Sequence, residues 1–195
     1  MDLYSSMFTR KSTRNFNMKP LSETTLKEVE TFIETVQPLL PNAEITYKLV
    51  GPEGVKGIGT PKAPHYLLIY GKEQPLRDTC AGFLFQHVDL FLFSQGYASR
   101  WVGMMKPAKS DKDYIIGLAF GEPAESASRT LKEFDRKALK EISEGKDSRI
   151  EAARLAPSGL NGQPWYFIAN NGAIYVYRKK KINGLPGMMY KMTEL

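Results

Sequence analysis

The stretch Ala156-Pro-Ser-Gly-Leu-Asn-Gly-Gln-Pro-Trp-Tyr-Phe167 combines the end of a helix, a stiff polar loop and the start of a strand. Pro157 predicts where the helix ends, because a proline pushes the residue before it out of the helical region. The helix should begin at Asp147 or Ser148, since either side chain can accept hydrogen bonds from the free N–H groups of a first turn. The apolar run from Trp165 onward predicts a strand. Together these signals predict a helix–loop–strand unit over residues 147–167.

The loop inside this unit carries three polar side chains on a backbone shaped by glycine and proline. The polar residues are Ser158, Asn161 and Gln163. Gly159 and Gly162 allow the backbone to approach a flat molecule closely, because glycine has no side chain to hold it away. Any one of these residues is compatible with an ordinary turn. Their combination at fixed spacing indicates a binding site.

A second polar segment lies near the start of the chain, from Arg10 to Phe16. It offers donors for a phosphate or for the edge of a polar heterocycle: Arg10, Lys11, Ser12 and Arg14. Arginine suits a phosphate because its planar guanidinium donates paired hydrogen bonds and keeps its charge. A charged surface segment is an equally good interpretation of these residues when they are taken alone.

Both segments resemble motifs of the FMN-dependent nitroreductase family. The loop matches its Ala-Pro-Ser-x-x-Asn-x-Gln-Pro-Trp-x-Phe motif, and the N-terminal segment matches its Arg-x-Ser-x-Arg-x-Phe motif, which contacts FMN in that family. Residues 97–105 resemble a Gly-Leu-x-x-x-Trp-x-Gly segment whose backbone runs beside the flavin ring in those proteins. The resemblance therefore implies a flavin site built from separate parts of this chain.

The residues that the resemblance implies for FMN binding are Arg10, Lys11, Ser12, Arg14, Trp101, Val102, Gly103, Met104, Arg136, Pro157, Ser158, Asn161 and Gln163. The N-terminal motif is expected at the phosphate and the ribityl chain, with Arg14 near the pyrimidine side of the ring. Ser158 and Asn161 are expected to contact the ring. Arg129 is an alternative to Arg136 in the phosphate pocket, and the sequence does not decide between them.

A flavin carries its own redox chemistry, so the protein need only hold, orient and tune it, and no side chain is assigned a catalytic role. The resemblance implies an oxidoreductase that passes hydride from NAD(P)H to FMN and then to a small-molecule acceptor such as a nitroaromatic or a quinone. A flavin-binding storage or sensor protein without efficient turnover is the alternative from another functional class. No spacing of His, Cys or acidic residues predicts a metal site.

The predicted fold is α+β and nitroreductase-like, with a mainly antiparallel sheet flanked by helices. Ser22 should cap a helix. Strands are predicted over residues 45–50, 66–70 and 113–120. Residues 80–95 are apolar around most of a helix circumference, which predicts a central helix that ends near Gly96. Residues 51–59 are expected to form a flexible connection.

The segment Phe16-Asn-Met-Lys-Pro-Leu21 is partly repeated as Phe134-Asp-Arg-Lys-Ala-Leu139. The first copy overlaps the end of the N-terminal segment at Phe16, and the second copy precedes the loop that begins at Pro157. Members of the resembled family hold each flavin between two intertwined subunits. We therefore expect two intertwined halves, residues 1–125 and residues 126–195, that form one structural unit and bind one FMN. The chain is expected to be a pseudo-dimeric monomer, with a homodimer as the alternative.

The composition is that of an ordinary globular protein, with 42% hydrophobic and 25% charged residues. The net charge of +6 permits a nucleic-acid partner, but the charges are mostly dispersed and the aromatic residues lie in apolar segments, so none is expected. No apolar run reaches the roughly 18 residues that span a bilayer, so no membrane association is expected. The single cysteine, Cys80, and the absence of a secretory pattern in the first residues favour a cytoplasmic location.

Overall fold

The computed structural model describes residues 2–178. Within that range the α-helices are α1 (Leu3–Met7), α2 (Glu23–Thr35), α3 (Arg77–Ser94), α4 (Leu139–Ile142) and α5 (Arg149–Arg154). The strands are β1 (Ile45–Val50), β2 (Val55–Lys56), β3 (His65–Gly71), β4 (Ala98–Val102), β5 (Lys106–Pro107), β6 (Tyr114–Gly121), β7 (Ser143–Glu144), β8 (Trp165–Asn170) and β9 (Ala173–Arg178). Short 3₁₀ turns lie at Pro52–Gly54, Leu131–Glu133 and Gly159–Asn161.

Four strands form an antiparallel sheet in the order β1-β3-β6-β4. β3 lies inside the sheet, and every one of its residues is buried, as expected for a strand that is covered on both faces. β1 forms one edge, with Tyr47 opposite Ile69 of β3. The first residues of β1 alternate between half-buried and exposed, because only one face of this edge strand meets the core.

The helix α3 covers one face of this sheet, as its nearly continuous apolar surface predicts. Phe85 and Val88 of α3 share a buried cluster with Leu67 of β3 and Leu118 of β6. The opposite face carries a second buried cluster, formed by Phe16, Ala63, Tyr66, Leu68, Tyr70, Ala98, Val102, Met105 and Ala119. Neighbouring residues of β3 therefore point to different clusters, which is the alternation of an extended strand.

The sequence signals for the helix ends agree closely with the structure. The hydroxyl of Ser22 accepts a hydrogen bond from Thr25 N at 3.1 Å, and α2 begins at the next residue, as predicted. α3 begins at Arg77, earlier than the predicted start at Cys80. Gly96 adopts a φ of +83° directly after α3, a left-handed conformation that glycine tolerates and that ends a helix.

The helix–loop–strand unit at Ala156–Phe167 belongs to a smaller sheet in the order β7-β8-β9. β7 and β8 are parallel, whereas β8 and β9 form an antiparallel hairpin. Ile150 of α5 lies in one buried cluster with Trp165 and Phe167 of β8. The predicted helix before Pro157 and the predicted strand from Trp165 are both present.

The segment 51–59 differs from the flexible connection that was expected. It contains a 3₁₀ turn and the short strand β2, whose Val55 lies opposite Pro107 of β5. Gly54 O also accepts a hydrogen bond from Ala108 N at 2.8 Å, so backbone pairing orders this segment. The mixed α+β architecture with an antiparallel sheet is confirmed, while the division of the chain near residue 125 stays a prediction.

Among residues 2–178, none of the helices has both the length and the apolar character needed to cross a bilayer.

Candidate functional site

The N-terminal motif runs between β4 and the segment that follows β6. Lys11 N donates to the Ala127 carbonyl at 2.8 Å, and Thr13 N donates to the Ser99 carbonyl of β4 at 3.1 Å. These contacts hold the backbone of the motif from both sides. The side chains of the motif differ in how far they are exposed to solvent. Arg10 is buried, Lys11 is half-buried, and Ser12 and Arg14 are exposed.

Arg10 is a buried cation with an acidic partner, not a free charge on the surface. Only 4% of the residue is exposed. Its guanidinium contacts the Asp89 carboxylate of α3 through Nε at 3.0 Å and donates a hydrogen bond to it from Nη1 at 3.2 Å. An arginine side chain has further N–H donors, so this pair leaves donors of Arg10 for a ligand.

Two further arginines lie beside Arg10. Arg129 Nε donates to the Arg10 carbonyl at 3.1 Å, and its guanidinium lies 3.5 Å from the centre of the Phe134 ring. Arg136 lies 5.7 Å from the centre of the same ring. We call Arg10, Arg129 and Arg136 the arginine cluster. Both residues that the sequence left as alternatives for a phosphate pocket belong to it.

The arginine cluster carries more positive charge than its surroundings balance. Burial and the charges of Arg136 and Arg10 lower the pKa of Arg129 to about 10. Burial and the charge of Arg10 also lower the pKa of Arg136. In the part of the chain that the structure describes, neither Arg129 nor Arg136 forms an ion pair. An anion placed here would relieve repulsion between buried cations.

The loop 157–163 is fastened to this cluster by its own polar side chains. Arg136 Nη1 donates to Asn161 Oδ1 at 2.7 Å. Asn161 Nδ2 donates to the Asp135 carbonyl at 2.9 Å and to its carboxylate at 3.1 Å. Both ends of the Asn161 amide are therefore engaged within the protein. Its expected contact with a flavin ring stays a prediction, and its observed contacts position Arg136.

The same loop holds an unusual backbone conformation. Leu160, Asn161 and Gln163 all have positive φ angles, of 49°, 55° and 46°. Such conformations cost about 1–3 kcal/mol each for residues with side chains, and they persist where surrounding contacts fix them. Gln163 supplies two of these contacts: its N–H donates to Ser158 Oγ at 3.0 Å, and its Oε1 accepts from Lys137 N at 2.8 Å.

The first half of β4 lies next to the N-terminal motif because of the Thr13–Ser99 contact. Trp101 Nε1 donates to Gln86 Oε1 of α3 at 3.3 Å. Burial and the charge of Arg14 lower the pKa of Arg100, so two arginines lie close together here. Val102 is buried, Gly103 is half-buried and Met104 is exposed. The predicted residues 101–104 therefore follow the part of β4 that contacts the N-terminal motif, and Trp101 itself is tied to α3.

A cavity of about 430 Å³ opens between α1 and α3 on one side and α5, β8 and β9 on the other. Small-molecule sites commonly have volumes of about 300–1,000 Å³. Arg10 and Pro157 both line this cavity, so it joins the N-terminal motif to the loop. Its apolar walls include Met7, Phe83, Leu90, Ala153 and Phe167. Trp165 also lines it, and the buried indole Nε1 has no hydrogen-bond partner among residues 2–178.

The structure brings two of the predicted segments to the cavity and leaves other predicted residues outside its lining. The predicted residues that do not line it are Lys11, Ser12, Arg14, residues 101–104, Arg136 with its alternative Arg129, and the polar side chains of the loop. Sequence reasoning missed Arg100, Gln86 and Asp89. A weak signal for the last two was present, because they are polar residues in a helix that is mostly apolar. No three His, Cys, Asp or Glu side chains of residues 2–178 are grouped to hold a metal ion.

Comparisons with known proteins agree with this architecture. A sequence profile of the family described as "Putative TM nitroreductase" matches residues 2–187. A structure described as a "putative nitroreductase" from Thermotoga maritima shares 19% identity and a TM-score of 0.70 over 100% of this chain and 82% of its own. Another from Desulfovibrio desulfuricans, described as "in complex with FMN", shares 14% identity and a TM-score of 0.53 over 72% of this chain and 94% of its own.

An FMN-dependent nitroreductase from Clostridium difficile shares 13% identity and a TM-score of 0.53, over 73% of this chain and 98% of its own. The comparison with curated proteins gives no match. These structural likenesses establish the nitroreductase fold, and the profile extends over most of the chain. The chain therefore belongs to this nitroreductase family.

Proposed function

We propose that this protein binds FMN and transfers hydride from NAD(P)H, through FMN, to a small-molecule acceptor such as a nitroaromatic or a quinone. The observation that carries the proposal is the arginine cluster beside an apolar cavity that both motif segments line. Membership in a nitroreductase family supports oxidoreductase chemistry. The descriptions of two structural neighbours name FMN.

The residues present suit a planar cofactor that carries a phosphate. Arg136 Nε is buried and has no hydrogen-bond partner among residues 2–178, so one donor of the cluster is free for an anion. A phosphate monoester carries a charge of about −1.5 to −2 at pH 7, which would balance Arg129 and Arg136. The apolar walls of the cavity suit an aromatic ring system.

We assign the phosphate to Arg129 and Arg136 together with Arg10, so neither of the two alternatives is excluded. Lys11 and Ser12 flank Arg10 and are proposed at the phosphate and the ribityl chain. The ring is proposed to lie in the apolar cavity, which Pro157 lines. Trp101 to Met104 at the end of β4 and the rest of the loop up to Gln163 do not line this cavity, and we propose that they border the cofactor at its edge. Arg14 and Arg100 add positive charge beside the end of β4.

When bound, FMN supplies the hydride chemistry. The chain's own residues bind the phosphate, orient the ring and exclude water through the apolar cavity. We propose that the nicotinamide donor and the acceptor use this cleft in turn, which gives ping-pong kinetics. Cys80 is a buried free thiol, which is compatible with the proposed cytoplasmic location. The proposed assembly is a pseudo-dimeric monomer, with a homodimer as the alternative.

Anaerobic stopped-flow spectroscopy of the flavin-loaded protein tests the reaction. We expect NADH or NADPH to bleach the oxidised flavin spectrum, and a quinone such as menadione to restore it. Bound FMN that neither nucleotide reduces would contradict hydride transfer and favour a storage or sensor role. A chain that binds no FMN would contradict the whole proposal.

A further inference from the structure

Asp89 is a fully buried carboxylate on α3 that three parts of the chain contact. Arg10 binds it through Nε at 3.0 Å and Nη1 at 3.2 Å. Gln86 Nε2 donates to it at 2.7 Å, and the hydroxyl of Ser99 in β4 donates to its other oxygen. These donors satisfy the acceptor capacity of an ionised carboxylate, which has two oxygens with about four lone-pair positions.

The contacts of Asp89 continue to the end of β4. Gln86 lies one helical turn before Asp89, so both side chains project from the same face of α3. Gln86 Oε1 accepts a hydrogen bond from Trp101 Nε1 at 3.3 Å. One turn of α3 therefore connects Arg10 of the N-terminal motif with Trp101, two residues that the proposed function places at the cofactor.

A purely structural role explains this arrangement poorly. Burying two charges costs several kcal/mol per ion, and a well-packed apolar pair of similar volume is often as stable. Asp89 is 0% exposed, and Val88 and Leu90, the residues before and after it on α3, are buried as well. Arg10, in contrast, lines the cavity. The pair is thus located where the direction of a guanidinium matters to a ligand.

The geometry of the pair sets that direction. The hydrogen bond from Arg10 to Asp89 comes from Nη1, while Nε lies at ion-pair distance, so further N–H donors of the planar guanidinium remain for a ligand. Asp89 also places a negative charge beside Arg10, whose positive charge lowers the pKa of both Arg129 and Arg136. The other two arginines stay unbalanced and attract an anion.

We propose that Asp89 is the positioning residue for Arg10: it orients the guanidinium toward the cavity and allows three arginines to cluster around one phosphate. This inference rests on the proposed function, because it assigns the cluster to FMN. It adds an acidic residue on α3 that no motif of the sequence includes.

Equilibrium titration of the full chain with FMN, followed by quenching of flavin fluorescence, tests the inference. Asp89→Asn keeps the shape of the side chain and removes its charge. We expect it to raise the Kd for FMN about tenfold, because the charge-assisted hydrogen bond that directs the Arg10 guanidinium toward the cavity is lost. The matched control is Asp78→Asn, on the same helix, whose carboxylate accepts from Arg77 Nε at 3.0 Å. We expect the control to change the Kd less than about twofold.

A double-mutant cycle shows whether Asp89 acts through Arg10. In an Arg10→Gln background, Asp89→Asn should change the Kd less than about twofold, because the side chain that it positions is absent. An equal effect in both backgrounds, or no effect of Asp89→Asn in the wild-type background, overturns the inference and leaves the proposed function intact. Wild-type protein that binds no FMN overturns both.

Circular dichroism and a cooperative unfolding transition establish that each variant folds. If Asp89→Asn does not fold, Ser99→Ala replaces it in the titration. This change removes one donor to Asp89 and keeps every charge. We expect it to raise the Kd about threefold, since the donor that is lost is a neutral hydroxyl and Arg10 still holds Asp89. An unchanged Kd overturns the inference.

Discussion

Arg10 and Arg129 belong to one cluster but differ in how their charges are balanced. Arg10 is paired with Asp89. Arg129 lies over the face of Phe134 and has no acidic partner within 4 Å among residues 2–178. Burial and neighbouring arginines consequently lower the pKa of Arg129 to about 10. A cation in such surroundings gains more from a bound anion than a solvated surface cation does.

Arg129→Met should therefore weaken FMN binding. We expect the Kd at pH 8 to rise about tenfold, since a charge-assisted hydrogen bond contributes about 1.5–3 kcal/mol. Flavin fluorescence quenching measures the Kd. Lys132→Met removes the same charge from an exposed position outside the cluster and should change the Kd less than about twofold. Equal effects of the two substitutions would show that only the net charge of the protein matters.

The pH dependence of binding has a definite sign. Arg129 is charged below its pKa of about 10 and becomes neutral above it, whereas a bound phosphate favours the charged form. Wild-type affinity for FMN should thus fall as the pH rises through about 10. The decline should be smaller in Arg129→Met. Ionisation of the flavin itself is common to both proteins, so the difference between the two pH profiles reports Arg129.

At the scale of elements, the loop 157–163 connects to β8 and forms hydrogen bonds with the segment that carries Arg136. Its amide side chains face inward and bind protein groups, as the contacts of Asn161 and Gln163 show. Sequence motifs identify residue types and spacing, but they do not tell whether an amide binds a ligand or the neighbouring backbone. The loop's expected start after a helix and its expected end at Trp165 were correct, because proline and apolar alternation are local signals.

Asn161→Ala tests whether the contacts of this loop stabilise the fold and position Arg136. Removing the three hydrogen bonds of Asn161 should lower the free energy of unfolding by about 1–3 kcal/mol and raise the Kd for FMN by releasing Arg136. Urea denaturation and flavin titration measure the two effects. Leu160→Ala is the matched control, because Leu160 is 70% exposed in the same loop and should shift stability by less than about 0.5 kcal/mol. A variant with wild-type stability and affinity would contradict the assigned role.

Pairing between distant strands and contacts between distant side chains could not be predicted from the sequence. Local periodicity and caps predicted α2, β1, β3, α3 and β6 to within a few residues. The short strands β2 and β5 were not predicted, because each has only two residues and exists through pairing with the other. The Arg10–Asp89 contact joins positions 79 residues apart, and a single sequence contains no signal for such a contact.

Across the whole molecule, the chain returns to its own N-terminal motif after β6. Arg10 forms an isolated bridge with Ser128, and Phe16 forms another with Pro123. This return brings Arg129 and Arg136 next to Arg10 and brings Pro157 to the same cavity. Complementary motifs predicted that early and late parts of the chain contribute to one site. Arg10 and Pro157 do line one cavity, and its use as a flavin site stays a prediction. The carboxylate that pairs with Arg10 was not predicted, since no motif contains Asp89.

The FMN content of the saturated protein tests this account most directly. The full chain is incubated with excess FMN and freed of unbound flavin, and the flavin released on denaturation is then measured against the protein concentration. Because the arginine cluster, the cavity and both motif segments meet at one place in the chain, we expect one FMN per chain. Two FMN per chain would contradict a single shared site, and a chain that retains none would contradict the flavin site itself.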